Sequence, residues 1–230
     1  MKIDKTFDAK LLKIPGLNPN WLPWIGVDYN SPANKEKILI VGESHYLTED
    51  VDVTQKDYMR KLIEKDGTLE GALYKSDPNK FISERHKKLE KILSVDQNDI
   101  VKKRKFWSNA AYYNFIQTPL ESRDQKDRPH FSLYLKGWDV FFQLLKIIKP
   151  TLCILNGIES SNHFYPQNAE KFGYSTIEKI KLEKVGGVYP RKIILEEESS
   201  GARIKILFIK HTSLPLTESD WQSFILSELK

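Results

Sequence analysis

Apolar positions along the chain follow two spacings, and their alternation outlines an α/β protein. Lys37-Ile38-Leu39-Ile40-Val41 is a short apolar run that stops at Gly42. Such a run reads as a parallel strand buried on both faces that delivers a loop at its end. Phe106 to Tyr113 is rich in aromatics, follows the basic run Lys102 to Lys105, and reads as a second core strand running into a loop. Leu152-Cys153-Ile154-Leu155, closed by Asn156-Gly157, reads as a third. Between the second and third, Leu135, Trp138, Phe141, Phe142, Leu145 and Ile148 fall on one helical face, and Pro150 stops the helix. Strand, helix and strand in this order predict a right-handed parallel crossover. Arg191 to Glu197 and Arg203 to Lys210 flank Ser199-Ser200-Gly201 as a hairpin whose second arm is apolar enough to lie centrally. Thr217 then caps a last helix reaching Leu229, with Glu218 and Asp220 adding negative charge at its start.

The stretch from about residue 47 to about residue 105 is charged, with helical periodicity at Asp57 to Glu64 and Phe81 to Leu93. It reads as a helical insertion packed over one edge of the sheet. No shift in composition divides the 230 residues, so residues 1–230 are expected to form one domain. The expected architecture is a three-layer α/β/α sandwich with a short, mostly parallel central sheet of about four strands. In such sheets ligands bind where strand ends feed loops. Three loops qualify, after Val41, after Trp107 and after Ile209.

Composition narrows the chemistry. With 40 % hydrophobic and 29 % charged residues the chain can build a core. No stretch approaches the roughly 20 apolar residues of a membrane span, and no apolar run follows Lys2 as in a signal peptide. A cytoplasmic protein without a membrane partner is expected. One cysteine, Cys153, cannot form an internal disulfide or by itself hold a structural zinc or an iron–sulfur cluster, so a metal-built site is not expected. A net charge of +5 and a pI near 9.0 favour a polyanionic partner. Gly42-Glu43-Ser44-His45-Tyr46 pairs a serine with a histidine, but a nucleophile elbow requires glycine where Tyr46 stands.

That pentapeptide, together with His211-Thr212-Ser213-Leu214-Pro215 after the last core strand, resembles the two motifs of the uracil-DNA glycosylase superfamily. One branch of that superfamily carries Gly-Gln-Asp-Pro-Tyr-His at the first position and another Gly-Glu-Ala-Pro-Gly, and the last motif is usually His-Pro-Ser. Asn109 corresponds to an asparagine ending a strand, and Leu144 to Pro150 with Thr151 to Gly157 to a helix, Lys-Pro, a hydrophobic strand and glycine. The likeness covers about residues 37 to 230. Neither motif here keeps the family's proline, Ser44 stands where one branch has aspartate, and the four cysteines of the iron–sulfur branch are absent.

The resemblance implies a DNA glycosylase acting in DNA repair as a monomer on single- or double-stranded DNA by base flipping, without a cofactor. Hydrolysing an N-glycosidic bond needs a carboxylate to orient water or offset positive charge on the sugar, plus donors for the departing base. Glu43 and His211 are the catalytic candidates, although Glu43 could instead hold its loop and His211 could be a satisfied strand-end residue. Asn109, Tyr46 and His45 are the base-binding candidates, Asn109 because an amide offers both a donor and an acceptor. Ser44 and Ser213 are the phosphate-binding candidates, and both are equally ordinary turn residues. The alternatives are a nucleic-acid or nucleotide binding module of the same fold without catalysis, and a nucleoside or nucleotide hydrolase.

Overall fold

A computed structural model describes residues 2–47, 52–64, 84–96, 98–121 and 129–229. Its centre is a mixed sheet of seven strands. In chain order these are β1 (Trp24–Ile25), β2 (Ile38–Gly42), β3 (Ala110–Asn114), β4 (Leu152–Asn156), β5 (Tyr174–Lys181), β6 (Arg191–Glu197) and β7 (Arg203–Ile209). Across the sheet the order is β1-β3-β2-β4-β7-β6-β5. The middle four, β3, β2, β4 and β7, are parallel neighbours, while β1 at one edge and β6 with β5 at the other run antiparallel. The sheet is thus larger than the four strands expected. β1 has only two residues, too few to show an alternation, and β5 leaves Ile177 and Ile180 exposed, so its pattern does not mark a core strand.

Helices cover both faces. On one, Leu39, Val41, Tyr113, Leu155, Ile206 and Phe208 meet the helix α5 (Phe131–Ile148) through Trp138, Phe141, Phe142 and Leu145, together with α1 (Asp8–Leu11). On the other, Ile40, Tyr112, Ile154 and Leu207 meet α2 (Tyr58–Glu64), α3 (Glu84–Ile92), α4 (Ile100–Asn109) and α8 (Glu218–Glu228). The two sets alternate along each strand, as a pleated strand buried on both sides requires. Cys153, on β4, is fully buried, and burial pushes its thiol well above the usual range. Two short helices, α6 (Glu159–Asn162) and α7 (Pro166–Glu170), follow β4.

The expected insertion supplies α2, α3 and most of α4, all on one face. Residues 81–83, the start of the second expected helix, lie outside the described residues. Arg60 of α2 is buried and ion-paired with Asp8 and Asp57, and it donates to the Pro23 carbonyl at 3.1 Å, which ties the insertion to the amino-terminal segment. Among the described residues, no helix is long and apolar enough to cross a membrane.

One boundary differs in a way that matters for the site. Phe106 to Asn109 end the helix α4, and the strand begins only at Ala110. The Asp99 carboxylate caps this helix by accepting from the backbone N–H groups of Val101 and Lys102, both at 3.0 Å. Buried Glu90 of α3 then pairs with Lys103 at 3.3 Å and accepts from Trp107 Nε1 at 2.8 Å. These contacts override the β preference of the aromatic run.

Candidate active site

Loops leave the carboxyl ends of β2, β4 and β7 at one edge of the sheet, and between them lies a cleft of about 530 Å³. Glu43 enters it directly after β2, Gly157 to Glu159 directly after β4, and Lys210 and His211 directly after β7. The first turn of α5 supplies the opposite wall through Phe131 and Tyr134, and His163 completes it. Tyr134 Oη donates to Glu43 Oε1 at 2.9 Å. The His163 ring stacks on Tyr134 with centroids 4.6 Å apart, and its Nε2 lies 3.4 Å from Glu159 Oε1. A second void of about 10 Å³, room for about one water molecule, lies between Glu43, Asn156, Gly157 and Ser160.

The loop after β7 is shaped by a side-chain clamp. Thr212 is fully buried; its N–H donates to Asn156 Oδ1 at 2.8 Å, and Asn156 Nδ2 donates to Thr212 Oγ1 at 3.0 Å. Asn156, read as a turn former, therefore fastens the end of β4 to this loop. With Thr212 turned inward, His211 is half-buried at the cleft and Ser213 is exposed. The Ser213 N–H donates to His211 Nδ1 at 3.2 Å. An Nδ1 that accepts carries no proton, so the neutral ring holds its proton on Nε2 and can act there as a donor.

The other site candidates lie elsewhere. The loop after β2 is bonded to the segment following β3: Ile116 N–H to the Glu43 carbonyl at 2.9 Å, Leu120 N–H to the His45 carbonyl at 2.8 Å, and Leu47 N–H to the Leu120 carbonyl at 2.7 Å. Ser44 and His45 are buried by this pairing, and Tyr46 forms a bridge with Leu120. His45 sits edge-on to Trp21 and Tyr58, with Nε2 3.2 Å from Met59 Sδ. None of Ser44, His45 and Tyr46 lines the cleft.

Asn109 ends α4 at the opposite edge of the sheet, where Nδ2 donates to the Lys105 carbonyl at 2.7 Å. The asparagine that ends β3 is Asn114, which pairs in register with Gly42. A Cβ on residue 42 would come within 2.2 Å of Asn114 Oδ1, so only glycine fits there. Asn114 Oδ1 accepts from Tyr112 Oη at 3.2 Å, and its buried Nδ2 has no hydrogen-bond partner among the described residues. Like Tyr112, it belongs to the α2 side of the strand and not to the cleft.

Of the expected site residues, the cleft thus gathers Glu43 and His211, with Ser213 bonded to the latter. Sequence reasoning missed Tyr134, His163, Glu159 and Lys210. One signal for Tyr134 was present: Phe131, Tyr134 and Trp138 extend the helical face of α5 one turn earlier than Leu135, and His130 caps it. Among the described residues, no group of three or more His, Cys, Asp or Glu side chains could hold a metal ion. Comparison of the chain with protein-family models finds no match, and comparison with curated proteins finds none either.

Proposed function

We propose that this chain hydrolyses N-glycosidic bonds, with a deaminated or otherwise damaged base in DNA as its substrate. The observation that carries the reading is that Glu43 and His211, from the loops after the first and last core strands, line one cleft. Those loops hold the two motifs that resemble the uracil-DNA glycosylase superfamily, and an α/β sheet with parallel central strands accords with the fold of that superfamily. In this reading Glu43 orients a water whose oxygen bonds to the anomeric carbon as the carboxylate takes up the proton that this oxygen loses. The electron pair of the breaking C–N bond leaves with the base, and His211 Nε2–H donates to the base oxygen as it gains negative charge.

Other features fit. The water-sized void borders Glu43, where the nucleophile is needed. Phe131 and Tyr165 are 44 % and 43 % exposed and meet edge to face at 6.5 Å, so their rings are open to an unstacked base. Lys210 brings positive charge to the same cleft for a phosphate. The test is base release from single- and double-stranded oligonucleotides carrying uracil, hypoxanthine, xanthine or oxidised bases, with Glu43→Gln alongside. Release that falls about a hundredfold or more in the variant while DNA affinity is kept supports the reading; equal activity of the two proteins defeats it.

One observation favours the binding-module alternative: neither Asn109 nor Asn114 lines the cleft, and among the described residues no asparagine does, so none of these reads the edge of a base there. Salt-sensitive DNA binding without base release would select that alternative.

A further inference from the structure

Tyr134 is 2 % exposed, in the first turn of α5, and its hydrogen bond to Glu43 joins residues 91 positions apart. The fold therefore creates this contact; neither local sequence dictates it. The phenol is fixed from several sides. His163 stacks on its ring at an interplanar angle of 27°, and one turn further along α5 Trp138 Nε1 donates to the Ser160 carbonyl at 3.0 Å. The segment after β4 and the start of α5 are thereby fastened to each other beneath the cleft.

Glu43 has three side-chain torsions and sits only partly buried in a loop, so holding its carboxylate in one orientation takes contacts to the side chain itself. A rigid donor at 2.9 Å removes much of that freedom. It also acts on charge, because a hydrogen bond donated to the ionised form stabilises the anion over the neutral acid. Around Glu43 in the cleft stand Tyr134 from α5, Glu159 and His163 from the segment after β4, and Lys210 and His211 from the loop after β7.

We propose that Tyr134 is a positioning residue for Glu43, holding the carboxylate ionised and in one orientation for the water it directs. The proposal rests on the glycosidic-bond reading for its consequence on rate, while its effect on the Glu43 carboxylate can be measured without turnover.

Tyr134→Phe keeps the ring and its stack on His163 and deletes only the O–H. In the variant kcat for base release is expected to fall roughly tenfold with KM little changed, the loss of one charge-assisted hydrogen bond. The acidic limb of the pH–rate profile moves up by about one pH unit, since the anion loses a hydrogen-bond donor. The Glu43 carboxyl carbon, followed by NMR in the full-length protein, titrates at higher pH in Tyr134→Phe than in the wild type. Thermal unfolding of both proteins verifies that the variant is folded. An unchanged Glu43 titration together with an unchanged pH profile overturns the proposal. If the wild type releases no base from any substrate yet the Glu43 titration still moves, the glycosidic reading fails and the positioning contact stands.

Discussion

The loops after β2 and β7 each bring a histidine to the same edge of the sheet, and the two residues end in opposite surroundings. His45 is 3 % exposed among Trp21, Tyr58 and Met59, whereas His211 borders the open cleft. The cause lies in what each loop is bonded to. Backbone hydrogen bonds zip the first loop to residues 116–120, which buries Ser44 and His45 and leaves Glu43 at the cleft. The second loop hangs on the Asn156–Thr212 clamp, which sinks its middle residue and keeps the histidine before it at the cleft. Position after a strand brings a residue to the right edge of the sheet; the partner segment decides which way it turns.

The strongest test of that contrast is His45→Ala. It empties an aromatic cage and is expected to cost about 3 kcal/mol of stability in chemical denaturation; a loss below about 1 kcal/mol would contradict the assignment of His45 to the core. His211→Ala should behave in the reverse manner, with base release down about a hundredfold, or about 2.7 kcal/mol in the barrier, and stability within about 0.5 kcal/mol. Asn156→Ala leaves a buried Thr212 N–H without its acceptor and should cost about 2 kcal/mol, with a further drop in activity as the His211 loop loosens; urea unfolding and turnover measured on the same preparation separate the two. Asn109→Ala is the smallest change. At the far edge of the sheet it should alter neither stability beyond about 0.5 kcal/mol nor base release, and a large activity loss there would move the site away from the cleft.

Much of the central sheet was legible because its strands are buried on both faces, which leaves unbroken apolar runs at Ile38 to Val41, Leu152 to Leu155 and Ile206 to Ile209. The start of β3 was not, because Phe106 and Trp107 carry β-favouring side chains while Glu90, a residue distant in sequence, holds Lys103 and Trp107 in a helix. That shift displaced the strand-end asparagine from 109 to 114. For the site, Glu43 and His211 could be found because each lies within two residues of the end of a strand. Tyr134 and His163 meet them only through the packing of α5 and the segment after β4, and no spacing rule along the chain encodes such a meeting.

Cys153 gives the molecule an internal clock. It is the chain's one thiol and lies fully buried in β4, between the neighbours β2 and β7. A thiol reagent can reach it only when the middle of the sheet parts, so the rate of its labelling counts openings of the most deeply held strand. Each substitution proposed above can be timed by the same sulfur, without an added probe, and a variant that reacts no faster than the wild type has kept its centre closed.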